Sequence, residues 1–280
     1  MIDMDREKSQ DIIVIKNLEL FCFHGVFPEE KEKGQLFIVS LKLFLNLQPA
    51  GNEDDLTKTI NYADVCEKTH EFMTNNIFDL LETAAEKLAL LLLTEYPLMD
   101  KINVEIKKPD APINLPFEYV AVEITRQWHS VCLGVGSNIG DKLANISFAV
   151  QQIKESPVFK SLIISDIIET KPYGPVPQDD FKNACITVKT VLLPFELLSV
   201  LKEIEKKSGR TPTERWGPRT LDLDILLYDD LIMNDDQLTI PHVDMHNRRF
   251  VLEPLSTISP YTIHPILKKS IKELIEQLPL

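Results

Sequence analysis

A chain of 280 residues, 44% hydrophobic and 26% charged, has room for two domains that each bury a core without disulfide help. Its formal net charge of −13 argues against a nucleic-acid binder, which carries a basic footprint, and its longest apolar run, Leu88 to Leu93, is too short to cross a bilayer. Four scattered cysteines (Cys22, Cys66, Cys132, Cys185) form no C-x-x-C pair, and Met1 to Gln10 carry no apolar h-region, so the expectation is a reduced, cytoplasmic protein without a secretory signal.

Residues Asp11 to Phe23 read as a first strand and Gln35 to Leu47 as a long second one, in which Phe37, Val39, Leu41, Leu43, Leu45 and Leu47 alternate with the other face. Asn61 caps a helix to about Asn75, and Asp79 another that runs to Tyr96 before Pro97. Strands Lys101 to Lys107 and Val120 to Arg126 complete a ββααββ order, an antiparallel sheet with helices on one face. At Trp128-His129-Ser130 the pattern restarts, which predicts domains of residues 1–129 and 130–280. The second half offers a strand from Ser130 to Leu133, a turn from Gly134 to Gly140 and a helix from Lys142 to about Glu155 capped by Asp141. Strands follow near Ser161 to Glu169 and Asn183 to Val191, then a helix from Pro194 to Lys207, strands Leu221 to Tyr228 and Leu238 to Ile240, and C-terminal helical segments. Strict βαβ alternation is lacking, so the class is α+β.

The chemistry concentrates in Arg215-Trp216-Gly217-Pro218-Arg219-Thr220-Leu221-Asp222-Leu223-Asp224-Ile225. Strand side chains alternate, so Asp222 and Asp224 share a face about 7 Å apart, at roughly 3.3 Å of rise per residue. Two carboxylates so placed ligate a hard cation, of which magnesium is the natural candidate. Arg215 and Arg219 flank the Gly217-Pro218 turn, and Lys206 to Arg219 holds five cations (Lys206, Lys207, Arg210, Arg215, Arg219) against Glu214 alone, a patch sized for a polyphosphate. An isolated D-x-D pair would be read as a solvated strand face; the whole run reverses that balance. The Gly134–Gly140 stretch is no phosphate loop, lacking G-x-x-x-x-G-K-[ST]. His242 and His246 have i, i+4 spacing, but H-E-x-x-H and a third ligand are missing, which weighs against zinc.

The run around Asp222 resembles the signature of the hydroxymethyldihydropterin pyrophosphokinases of folate synthesis. In the first half, His24-Gly25 through Gly34-Gln35, Thr59-Ile60-Asn61-Tyr62, Leu80-Leu81-Glu82-Thr83-Ala84-Ala85-Glu86 and Lys108-Pro109-Asp110-Ala111-Pro112 together resemble dihydroneopterin aldolase across nearly all of residues 11–126. The two resemblances imply a bifunctional enzyme that cleaves dihydroneopterin to hydroxymethyldihydropterin and glycolaldehyde, and then moves pyrophosphate from ATP to the hydroxymethyl group. They imply a tunnelling-fold first domain and a ferredoxin-like α/β sandwich for the second. A pterin-binding protein or scaffold that retains only the pyrophosphokinase activity is the alternative.

In the aldolase half the resemblance assigns Lys108 to proton transfer with a water, Tyr62 to the acid at the enol, Glu30 to the side-chain pocket and Glu82 to the amino-pyrimidine edge, with no metal and no Schiff base. In the other half it assigns Thr170, Pro172, Tyr173, Phe181, Asn183, Trp216 and Phe250 to the pterin. Arg210 and Arg219 go to the phosphates as catalytic groups, and Glu205, Ile225, His242 and Arg248 to ATP. Asp222 and Asp224 would hold magnesium, two ions with ATP. It implies a homo-oligomer built through the aldolase domain, and small-molecule partners with no nucleic acid or membrane. Three places depart from the family patterns: Thr83 stands where many relatives have histidine, Ile113-Asn114-Leu115-Pro116 is an altered version of the usual proline-glycine turn, and Pro212 stands where many have a second arginine.

Overall fold

The computed structural model describes residues 11–172, 177–210 and 217–278. The chain divides into two compact units, residues 1–128 and 129–280, each α+β with antiparallel sheets.

The first unit runs β1 (Asp11–Cys22), α1 (Pro28–Lys33), β2 (Gln35–Leu45), α2 (Gln48–Glu53), α3 (Tyr62–Asn75), α4 (Leu81–Glu95), β3 (Lys101–Lys108) and β4 (Val120–Gln127). Its sheet has the order β1-β2-β3-β4, every pair antiparallel, with a bulge in β1 between Ile15 and Leu18. Phe37, Val39, Leu41, Leu43 and Leu45 are fully buried on one face, as their period of two requires, and α3 and α4 pack on the sheet with Val65, Met73, Leu88 and Leu92 inward. The second of the expected helices starts one residue later than expected. Asp79 does not cap it, because its carboxylate receives Lys31 Nζ at 2.6 Å, and Leu80 takes the N-cap position without a side-chain bond. The expected Asn61 cap is present, its side chain accepting from Ala63 N–H. The short helices α1 and α2, not expected, occupy the loops beside β2.

The second unit runs β5 (His129–Ser137), α5 (Lys142–Glu155), β6 (Phe159–Ile164), β7 (Ile168–Thr170), β8 (Phe181–Thr190), α6 (Pro194–Lys207), β9 (Asp222–Tyr228), β10 (Met233–Asn234), β11 (Thr239–Ile240), α7 (Arg249–Ile258) and α8 (Ile271–Glu276). The main sheet has the order β6-β8-β5-β9, with β7 also on β8. One expected strand near 161–169 is thus two, β6 and β7, pairing different parts of β8. The expected Gly134 turn is corrected as well: Gly134, Val135, Gly136 and Ser137 continue β5, pairing with β8 on one side, and Gly134 to Gly136 pair with β9 on the other. These glycines serve close approach rather than chain reversal. A Cβ on Gly136 would lie 2.6 Å from Asn183 Oδ1.

Alternation gives this sheet two unlike faces. Val131, Leu133, Val135, Ile186, Leu223 and Ile225 share a core with Ile146 and Ile153 of α5 and Leu197 and Leu201 of α6. On the opposite face, Cys132, Cys185 and Leu226 meet Val251, Leu252 and Leu255 of α7 and Ile271 and Leu274 of α8. Helix α5 is held at its start by Asp141, which accepts from Ala144 N–H at 3.0 Å. Asp141→Ala should lower stability by about 1 kcal/mol, read as a shift of the urea midpoint at unchanged slope; an unmoved midpoint would mean that this cap contributes nothing.

Candidate functional site

The second unit holds a cavity of about 580 Å³ where α7 leaves the sheet face uncovered. Its floor is Gly134 and Gly136, which stand directly opposite Asp224 and Asp222 on β9 and Cys185 and Asn183 on β8. Phe181, Asn183 and Thr170 line one side, Asp222, Asp224 and Arg219 another, and His242, Arg248 and Phe250 a third. Asn183 donates from Nδ2 to Thr170 Oγ1 at 2.7 Å, which fixes its amide at the edge of the space, while the Arg248 guanidinium lies 5.7 Å from the Phe250 ring centre.

The expected shared face of Asp222 and Asp224 is observed, and electrostatics separate the two carboxylates. Asp222 receives Arg210 Nη1 at 2.8 Å on one oxygen and Arg219 Nη1 on the other. Asp224 has its pKa raised by burial and then by the negative Asp222 beside it, against the pull of His242. Burial lowers His242, whose Nδ1 accepts from Asp244 N–H at 3.3 Å. A divalent cation relieves the strain of two neighbouring carboxylates in such a place, and the donors are the hard oxygens that magnesium takes, so the residues fit that ion. Among the described residues no three His, Cys, Asp or Glu side chains form a cluster able to hold a metal by themselves, so water and phosphate oxygens would complete the shell.

Glu205 and Ile225 lie elsewhere. Glu205, 2% exposed, accepts from Leu223 N–H at 2.7 Å and from Lys202 Nζ at 2.9 Å, and pairs with Arg210. Burial raises its pKa on balance, against those three donors. It thereby ties the backbone between the two aspartates to Arg210 and lies outside the cavity lining. Ile225 is buried in the helix-side core, since alternation turns its side chain away from Asp224. Pro172 is absent from the lining, and Tyr173 and Trp216 fall outside the described residues. Asp244 and Gln178 line the cavity without having been singled out. A G-x-G run opposite a D-x-D run was the available signal for the floor.

In the first unit, Lys108 at the end of β3 and Glu30 in α1 form a buried ion pair, the two residues 8% and 9% exposed. Glu30 also accepts from Phe27 N–H at 3.0 Å and Gln35 Nε2 at 3.1 Å. Burial pushes its pKa up, but the Lys108, Phe27 and Gln35 hydrogen bonds outweigh this and hold it below the usual range. Gly25 makes room: its φ is +151° and a Cβ there would overlap the Glu30 carboxylate. His24 stacks on Phe78, accepts from Phe78 N–H at Nδ1 and has its pKa lowered to about 4 by burial and then by the Lys108 charge. Tyr62 is 63% exposed and Glu82 is exposed at the start of α4; among the described residues no hydrogen bond or ion pair joins either to the Lys108–Glu30 pair.

The comparisons agree with this division. Residues 13–125 match the model of the dihydroneopterin aldolase family, and residues 132–260 that of the 7,8-dihydro-6-hydroxymethylpterin-pyrophosphokinase family. A 2-amino-4-hydroxy-6-hydroxymethyldihydropteridine pyrophosphokinase of Synechocystis sp. is 41% identical over 155 residues, covering 55% of this chain and 79% of that protein. A folic acid synthesis protein of Dictyostelium discoideum is 30% identical over 296 aligned residues, which take in 96% of this chain but only 45% of that protein, so the chain spans less than half of that relative. The crystal structure of a putative dihydroneopterin aldolase from Vibrio cholerae is 28% identical, with a TM-score of 0.40, and covers 42% of this chain and 98% of that one. The chain therefore belongs to the hydroxymethyldihydropterin pyrophosphokinase family, with a segment ahead of that region that matches the dihydroneopterin aldolase model.

The His24 and Glu30 shifts set a pH dependence. Between about pH 6.5 and 4 the unfolded chain takes up a proton at His24 that the folded chain does not, so stability falls with pH across that window. Glu30, held low when folded, keeps its contribution above the ordinary glutamate range and loses it on further acidification. Scanning calorimetry of the full chain from pH 7 to 5 should show a falling melting temperature with a shallower fall for His24→Gln; equal slopes would remove His24 as the cause.

Proposed function

We propose that the chain is a bifunctional folate-synthesis enzyme, with dihydroneopterin aldolase activity in residues 1–129 and ATP-dependent pyrophosphokinase activity in residues 130–280. The observation that carries this reading is the single cavity into which Asp222, Asp224, Arg219, His242 and Arg248 converge opposite Phe181, Asn183 and Phe250. We read the second domain as a ferredoxin-like α/β sandwich and the first as a tunnelling-fold domain, in keeping with their antiparallel sheets, with helices packed on the first sheet and on both faces of the second. A soluble, cytoplasmic protein belongs to the same proposal; no described helix is long and apolar enough to cross a membrane.

In the second domain, Phe181 and Phe250 offer apolar faces for a flat heterocycle and the Asn183 amide reads its polar edge. Arg219, His242 and Arg248 bind the polyphosphate, and Arg210 and Glu205 steady Asp222 and the strand behind it. Asp222 and Asp224 would hold magnesium, two ions with ATP, which neutralises charge on the transferred group. The pterin hydroxymethyl oxygen bonds to the β-phosphorus, the bond from that phosphorus to the oxygen bridging to the α-phosphorus breaks, and AMP leaves; the hydroxyl proton passes to solvent or a nearby base. Positioning and charge supply most of the rate in such a transfer.

In the first domain, the Lys108–Glu30 pair lies in a dry setting where an ammonium next to a carboxylate moves protons to and from a bound water. That water takes the proton of the substrate's side-chain hydroxyl as it passes one of its own to the carboxylate of the pair, the adjacent carbon–carbon bond breaks, glycolaldehyde leaves, and the electron pair stays on the pterin as an enolate. Tyr62 gives its proton to the enolate carbon and recovers one from the pair through water, and Glu82 accepts hydrogen bonds from the amino-pyrimidine edge. Exposed as they are, Tyr62 and Glu82 belong to a surface that a second copy covers, so the aldolase domain works as a homo-oligomer.

Incubation with dihydroneopterin, magnesium and ATP separates the two halves, since glycolaldehyde reports one and AMP the other. Lys108→Ala should cut glycolaldehyde release by about 100-fold or more and leave AMP formation from supplied hydroxymethyldihydropterin unchanged; undiminished release would take Lys108 out of the mechanism. Asp224→Asn should cut AMP formation by about three orders of magnitude, about 4 kcal/mol of transition-state stabilisation, and spare cleavage. EDTA should likewise stop AMP formation and spare glycolaldehyde release. Loss of both products on chelation would assign a metal to the aldolase domain.

A further inference from the structure

Asn138, at the end of β5, has no place in the assignments above. It is 2% exposed, and every polar group of its side chain is engaged. Its Oδ1 accepts from Arg219 N–H at 2.7 Å, and its own backbone N–H donates to Arg219 C=O at 3.0 Å, a two-way clamp on the residue whose guanidinium grips Asp222. Its Nδ2 donates to Gln178 Oε1 at 2.9 Å and to Asp179 C=O at 3.2 Å, in the segment that leads directly into Phe181. The base of this clamp is fixed in turn. Asn145 of α5 donates from Nδ2 to Ser137 Oγ at 3.1 Å and to Ile139 C=O at 2.9 Å, holding the residues on both sides of Asn138.

From this geometry we infer that Asn138 is a positioning residue that couples the two halves of the cavity, setting the phosphate-side Arg219 and the pterin-side Gln178–Phe181 segment in one register. The inference rests on the proposed pyrophosphokinase reading. A planar amide suits the task because it is the smallest side chain with one acceptor and two donors, and here one acceptor and both donors are used on two separate segments. Ordering either segment with a ligand therefore orders the other in advance. The second ligand then binds to a cavity already set, which is positive coupling between the sites. Removing the amide leaves Arg219 N–H and Asp179 C=O without their partner and lets each segment settle alone.

The test measures binding of 6-hydroxymethylpterin to the full chain by fluorescence, with and without magnesium and the non-transferring α,β-methylene analogue of ATP, in the wild type, Asn138→Ala and Asn138→Ser. In the wild type the nucleotide should tighten the pterin by about tenfold, within the usual range of site-to-site coupling. In both variants this factor should fall close to one. The serine variant keeps the experiment readable should the alanine variant fail to fold. A structural role alone would lower the melting temperature and leave the factor intact, and an intact factor in a folded variant overturns the inference. So does a wild-type chain that binds both ligands with no mutual effect. A wild-type chain that binds neither ligand overturns the functional reading and this inference with it.

Discussion

The second unit depends on what β5 leaves out. Gly134 and Gly136 put hydrogen where any other residue would put carbon, at two successive positions on one face of a central strand. Asp224 and Asp222 stand across from them on one side and Asn183 on the other, so the bare backbone becomes the floor between the charged wall and the amide wall. Adding one methyl at Gly136 would drive into Asn183 Oδ1, and the amide's bond to Thr170 would go with it. A glycine in a strand interior lowers stability because it packs nothing and orders at greater entropic cost. Here that cost falls where a fully packed strand would have filled the cavity. Helix α7 covers the same sheet face farther along, where Cys132, Cys185 and Leu226 present side chains for it to meet.

Much of this was legible from residue periods. The shared face of the D-x-D pair followed from alternation, which holds in any strand, and the same alternation sends Leu223 and Ile225 into the core. For that reason the Ile225 side chain does not reach the cavity. Reading Gly134–Gly140 as a turn failed because glycine is as often punctuation as clearance, and only the neighbouring strands decide which. The helix start at Leu80 was missed for a long-range reason: Asp79 is captured by Lys31, 48 residues earlier in the chain. Glu205 was legible as important but not in role, since its partners, Leu223 N–H and Arg210, come together only through the packing of α6 on β9.

Tyr62 and Glu82 mark a different boundary. Local sequence placed both at helix starts, Tyr62 opening α3 and Glu82 in the first turn of α4. Among the described residues no hydrogen bond or ion pair ties either to Lys108 or Glu30. Motif order along a sequence records which residues a site contains, whereas the number of chains needed to assemble it is a property of surfaces. Tyr62, Leu80, Phe117 and Tyr119 are exposed in this unit, and on the proposed function they belong to such a surface.

The two sites also solve opposite electrostatic problems. In the first unit a buried carboxylate and a buried ammonium compensate each other, and two further donors complete the shell of Glu30, so its charge is retained at the cost of desolvation. In the second unit Arg210 and Arg219 both bond to Asp222, Arg210 pairing with Glu205 as well, and Asp224 remains a carboxylate whose burial and neighbour both favour protonation. A pair that is internally balanced supports proton transfer without outside charge. A pair left with excess negative potential favours a cation, and a polyphosphate brings its cations with it. On the proposed function, the difference between a metal-independent cleavage and a metal-dependent transfer lies in whether each buried carboxylate has a positive partner of its own.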